Sequence, residues 1–304
     1  MTPTRTAWFG IGISSAVAEG PRTLRLASQA DRDELDLFSV SDHPYVSDRL
    51  DAYSLVGMAL GRTQSIAGLV NVTNLPVRPA PMLSRTVTSL AALSGGRIVL
   101  GMGAGGLLAE SAKLGVPLLD PAAAVRALEE GITLIRALSG GGAPVTFDGE
   151  FFQVTRLEPA ATPAPPVWTG SNGPRSLAVT GRSADGWIPG HAADWLSHRY
   201  RTSRPVIDEA AVAAGRDPRD VATIYNLPGR ITATPLAVTR DDDNRWVGGS
   251  VGQWVEELTG AVLEHGASGF TYFPTGDTEP EVALAHWAQE IVPAVRAAVA
   301  ADAA

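Results

Sequence analysis

Five short stretches of the chain gather the residue types that could do chemistry: Ser41-Asp42-His43-Pro44, Asn71-Val72-Thr73-Asn74, Gly101-Met102-Gly103-Ala104-Gly105-Gly106, Thr169-Gly170-Ser171-Asn172-Gly173-Pro174, and Gly190-His191. Adjacent Asp42 and His43 on an extended chain point to opposite sides, so they do not form a dyad with each other. That arrangement lets one hydrogen-bond the edge of a ligand ring while the other faces the reacting atom. A histidine near neutrality accepts or gives a proton beside a hydride transfer. The competing view is a capping Asp and a structural His, since turns commonly use Asp. Gly170-Ser171-Asn172-Gly173 runs into a helix start. Its small residues allow close backbone approach, and its free N–H groups attract phosphate; a plain strand-to-helix turn is the alternative. Gly101-Met102-Gly103 has the Gly-x-Gly pattern. However, the acidic residue that a dinucleotide fold places on a second strand about 20 residues later is missing. His198, His265 and His286 fall inside expected helices, and His191 at a strand end contributes little. Trp168 and Trp187 read as core.

Composition narrows the chemistry. The net charge of −8 disfavours nucleic-acid and anionic-membrane surfaces, which need clustered positive charge. The absence of cysteine removes disulfides, thiolate nucleophiles, iron–sulfur clusters and cysteine-type zinc sites. Lys113 is the only lysine, which leaves little scope for Schiff-base chemistry. No His, Asp and Glu set has metal-ligand spacing, so no metal is expected. No apolar run reaches membrane-spanning length, and Met1–Ala7 lacks the apolar stretch of a signal peptide. A cytoplasmic location is expected.

These stretches need elements to position them, and the hydrophobic pattern supplies a regular set. Short apolar runs rich in Val, Ile and Phe alternate with segments of helical period. Strands are predicted at Trp8–Ile13, Leu37–Ser41, Ser65–Val72, Arg97–Met102, Val167–Gly170, Trp187–Pro189, Ala222–Leu227 and Phe270–Phe273. Helices are predicted at Arg22–Leu35, Ala52–Arg62, Pro81–Leu93, Val125–Leu138, Ser176–Arg182, Asp194–Ala214, Val251–His265 and Glu281–Ala300. Asp241-Asp242-Asp243 reads as a solvated loop. Residues 140–166 break the rhythm: Val145-Thr146-Phe147, an Asp148-Gly149 turn and Phe151–Val154 read as a β-hairpin insertion. Buried parallel strands alternating with helices predict a parallel sheet, and eight such units favour a (β/α)₈ TIM barrel over an open doubly wound sheet. Residues 1–304 are expected to form this single domain. Each of the five stretches then follows a strand, so all five meet at the C-terminal face where barrel enzymes place their sites.

With these motifs in view, Ser41-Asp42-His43 resembles the second-strand motif of the luciferase-like superfamily, especially its members that use coenzyme F420. Leu75-Pro76-Val77-Arg78-Pro79, Leu93–Gly103, and Gly170–Pro174 followed by Ser183–Trp187 are similar to the same family. The likeness is good over about residues 9–190. It implies a TIM barrel, usually a homodimer, holding a deazaflavin at the strand ends. The resemblance places Asp42 against the cofactor and His43 near the hydride-carrying carbon. It puts a non-proline cis peptide at Asn71-Val72, and Thr73, Gly103 and Ala104 are counted with the same cofactor-binding set. Gly170, Ser171, Asn172 and Gly173 match the phosphate loop, and Gly190 matches a further phosphate contact. Members that oxidise a sugar phosphate carry Glu where Gly106 stands, which disfavours that substrate. The expectation is an F420-dependent oxidoreductase exchanging hydride with a small organic substrate, His43 being catalytic. The alternatives are an FMN-dependent monooxygenase fed by a separate reductase, and a flavin-binding homologue without turnover.

Overall fold

The computed structural model describes residues 7–191 and 193–302; the reading of the extreme N-terminus lies outside them but for Ala7. Eight strands follow one another around a closed parallel barrel: β1 (Trp8–Gly12), β2 (Leu37–Val40), β3 (Ala67–Val70), β4 (Ile98–Gly103), β5 (Val167–Thr169), β6 (Gly186–Trp187), β7 (Ala222–Thr232) and β8 (Gly269–Pro274). Each pairs in parallel with its sequence neighbour, and β8 returns to β1 with Trp8 opposite Gly269. Closure leaves none of the eight with an unpaired edge. Alternation along the strands separates two sets of apolar side chains. Leu37, Leu69, Val99, Trp168, Ile188 and Ile224 pack with one another as the barrel filling. Phe38, Val70, Ile98 and Leu100 belong to the larger layer between strands and helices.

That layer is covered by α1 (Gly20–Arg32), α2 (Ala52–Leu60), α3 (Ala80–Ser94), α4 (Pro121–Ala137), α5 (Pro174–Ser183), α6 (His198–Ala213), α7 (Val251–Leu263) and α8 (Pro280–His286). Asp51, Asp120 and Ser197 cap their helices by accepting first-turn N–H groups, and Ser250 and Gln253 do so reciprocally. Asp31, near the end of α1, accepts the N–H groups of Gln64, Ser65 and Ile66 at 2.7–2.8 Å and so fixes the entry to β3. Arg97 donates to the carbonyls of Leu60, Thr63, Ile66 and Ser94 around the start of β4.

The differences from the sequence-based boundaries have local causes. The helix expected from Asp194 starts at His198, because buried Asp194 instead accepts from Trp246 N–H (2.9 Å) and Arg240 (2.8 Å). The strand expected to end at Leu227 continues through Pro228 to Thr232, where Gly248–Ser250 pairs with it. The last helix is interrupted at Trp287–Ile291 by a π-helical turn before continuing as Val292–Asp302. The hairpin is present as Val145–Asp148 paired with Gln153–Leu157, but its connection is not the two-residue Asp148-Gly149 turn. Gly149 to Phe152 forms the loop, with Gly149 N–H bonded to Phe152 O. Glu130 on α4 draws this loop onto the barrel by accepting the N–H groups of Glu150, Phe151 and Phe152 at 2.7–3.0 Å.

Candidate active site

At the C-terminal ends of β2 to β5 the chain forms a cleft of about 400 Å³, within the range of small-molecule and cofactor sites. Asp42, immediately past β2, is buried, and its carboxylate is fully engaged: Arg78 donates to both oxygens at 2.8 and 2.7 Å, and Asn74 N–H adds a third bond at 3.0 Å. Arg78 also donates to Asp51 (2.6 Å) and lies 4.9 Å over the ring of Tyr53, whose hydroxyl meets Thr73 at 2.6 Å. Burial works against the Arg78 charge, but Asp42 and Asp51 outweigh it and hold the guanidinium above its ordinary value. Asp42 therefore lines the cleft as the anchor of its wall, tying the end of β2 to the loop after β3.

His43 is exposed to the cleft, as the alternation of an extended segment requires. Its Nδ1 is 2.7 Å from the hydroxyl of Tyr45. Nε2 is then the ring nitrogen left for a ligand. Burial, reinforced by the Asp42 and Glu110 carboxylates, pushes the Tyr45 phenol above its ordinary value of 10.0, so this hydroxyl keeps its proton at neutral pH.

The Asn71-Val72 bond is cis, as the resemblance implies. Val72 sits between two glycines: a Cβ at Gly103 would lie 2.8 Å from its Cγ2, and one at Gly170 would lie 3.0 Å away. Asn71 donates to Asn226 at 2.8 Å. Opposite, the turn before α5 is held from behind: Thr180 donates to Ser171 Oγ (2.9 Å) and Trp187 Nε1 to Ser171 O (2.9 Å). Gly173, at the N-cap of α5, has no side-chain oxygen to occupy the first-turn N–H groups. Asn172 is exposed and accepts from Arg199 at 2.6 Å.

Asp42, His43, Asn71, Val72, Thr73, Gly103, Ala104, Gly170, Ser171, Asn172 and Gly173 all line this one cleft. Gly190 is not among the lining residues but abuts them. Its φ is +99°, and a Cβ there would meet Arg199 Nη1 at 3.2 Å and Asn172 Oδ1 at 3.5 Å. Exposed His191 stands beside Phe273, also outside the lining. Sequence reasoning missed Tyr45 and Arg199, and it quoted Asn74 and Arg78 within motifs without giving either a role. Tyr45 is two residues from His43, in the turn closed by Val46 N–H to His43 O, and that closeness in sequence could have flagged it. Arg199, 27 residues from its partner, gave no such signal.

A closed α/β barrel with a polar histidine on one rim, an apolar Val72 platform and an open helix start suits a flat ligand that also carries an anion. The chain belongs to the luciferase-like monooxygenase family, whose profile matches residues 8–279. It is 28% identical over 205 residues to the phthiodiolone/phenolphthiodiolone dimycocerosates ketoreductase of Mycobacterium kansasii, covering 66% of this chain and 53% of that one. It is 30% identical over 225 residues to the F420-dependent glucose-6-phosphate dehydrogenase of Nakamurella multipartita, covering 70% and 65%. The alignments thus span about half to two thirds of these relatives. Among solved structures, an F420-dependent secondary alcohol dehydrogenase superposes with a TM-score of 0.79 at 18% identity, covering 95% of this chain and 99% of that one. A riboflavin lyase with modified FMN superposes with a TM-score of 0.76 at 14% identity, covering 96% and 92%. At such identities these two likenesses establish the fold alone.

Proposed function

We propose that the chain is a coenzyme F420-dependent oxidoreductase that moves hydride between the deazaflavin and a small organic substrate. The observation that carries this reading is the meeting of His43, Val72 and the Ser171-Asn172-Gly173 turn in one cleft. The F420-dependent relatives support the choice of cofactor. When bound, the deazaflavin supplies the hydride chemistry. The chain supplies position and a proton path. Val72, held between Gly103 and Gly170, would back the ring, and the N–H groups at the start of α5, with Arg199 beside Asn172, would hold its phosphate. His43 Nε2 would bond the substrate oxygen, and Tyr45 would hold the opposite edge of the imidazole, so that a proton is taken or given at a fixed point. Asp42 and Arg78 would keep the rim rigid. The family resemblance adds a homodimer to this proposal.

The test is a screen of F420 reduction and F420H₂ oxidation against alcohols, enones and imines. Turnover with at least one class supports the reading. An FMN-dependent monooxygenase is the second reading, supported by the match to the luciferase-like monooxygenase profile; it would show oxygen uptake with reduced FMN and no F420 turnover.

A further inference from the structure

Beside the cofactor cleft lies a second chamber of about 240 Å³ whose lining side chains are all apolar. The two spaces share Ala104, which lines both. Their common wall is thin. It is the glycine-rich turn after β4, where Gly105 has φ +96° and a Cβ would lie 2.8 Å from Pro76 Cγ. Leu75 and Pro76, at the chamber floor, directly follow Asn74 of the cleft. The far wall is Phe151 and Phe152, carried by the hairpin insertion. Glu130 fixes them by accepting both their N–H groups, and Arg126 lies 5.7 Å over the ring of Phe151. Val116 closes the side.

An apolar chamber with a held aromatic wall, adjoining at Ala104 the cleft proposed for redox chemistry, is suited to part of a substrate. We infer that the substrate carries an unbranched alkyl or aryl arm that enters this chamber while its reacting group stays near His43. The inference rests on the proposed redox role of the neighbouring cleft and adds the substrate class. At about 30 Å³ per water-sized group the chamber takes about eight methylene-sized groups. A charged or sugar-like arm would lose its hydration there without gaining a partner.

The test is calorimetric titration of the full chain with straight-chain alcohols from 1-butanol to 1-octanol, with F420 binding measured in parallel. Each added methylene is expected to tighten binding about 2- to 4-fold. Val116→Trp, which fills the chamber, flattens the series while F420 affinity stays within about 3-fold of the wild type. Phe152→Ala, which removes wall rather than adding bulk, weakens 1-octanol about tenfold and 1-butanol far less. A flat wild-type series overturns the inference, as does a series that neither substitution alters. A wild type that shows the chain-length series and binds no F420 supports the chamber and overturns the cofactor assignment instead.

Discussion

His43 owes its exposure to the residue before it. Because Asp42 turns inward to Arg78, the next side chain turns outward, and the turn that follows, closed by Val46 N–H to His43 O at 3.0 Å, brings Tyr45 back onto its Nδ1. His43→Ala is expected to slow turnover by about 10²- to 10⁴-fold and to leave F420 affinity within about 3-fold; an unchanged steady-state rate removes its assigned role. Tyr45, whose ionisation is raised above 10.0, stays a neutral hydroxyl across the working range. Its contribution to the alkaline limb of the kcat/KM profile is therefore expected above pH 10 and is lost in Tyr45→Phe. A limb near pH 8 that Tyr45→Phe abolishes contradicts the arrangement. Arg78→Ala leaves the buried Asp42 carboxylate without its partner and is expected to cost about 3–5 kcal/mol in denaturant unfolding. The sequence made Asp42 and His43 visible as an adjacent pair that an extended chain must split. It did not show that Arg78, 36 residues away, takes up the Asp42 charge.

At the scale of elements, the site depends on loops being pinned by side chains from neighbouring units. Asp31 is the clearest case. Burial pulls its carboxyl upward, but the N–H groups of Gln64, Ile66 and Ser65, with Arg97, outweigh that and hold it below the ordinary value of 3.8. A carboxyl depressed in the folded state stabilises above its unfolded pKa, and that contribution is lost as pH falls through the folded value. Asp31→Asn is expected to cost about 1–3 kcal/mol at pH 7 and progressively less at the acid end. Equal losses at pH 7 and pH 2 in chemical denaturation would contradict the assignment. The strand and helix periods were readable because each apolar run is bounded by turn residues, as in Ser94-Gly95-Gly96 before β4. The hairpin connection was misread because Asp148-Gly149 matches a two-residue turn locally, while Glu130, 20 residues earlier, bonds Glu150 N–H and decides the loop. Long-range hydrogen bonds leave no local pattern.

At the scale of the whole molecule, barrel closure turns residues from Asp42 to Gly173 into neighbours around a single cleft. The barrel was legible from the count of alternating units, since a parallel sheet of that length with helices after every strand has a closed solution that hides its edges. The division between a polar cleft and an apolar chamber was not legible. It depends on the path of the chain between Ala104 and Leu119, where no period marks the turns. No helix among the described residues is long and apolar enough to cross a membrane.

Equilibrium titration of the purified protein with F420 and, separately, with FMN probes the central claim most directly, with Asn172 and Gly173 each replaced by Asp in parallel. The account expects saturable F420 binding tighter than FMN, and at least a tenfold loss when a carboxylate is brought to the start of α5, where an anion is to sit. FMN binding in preference to F420, or F420 binding indifferent to both aspartates, would contradict it.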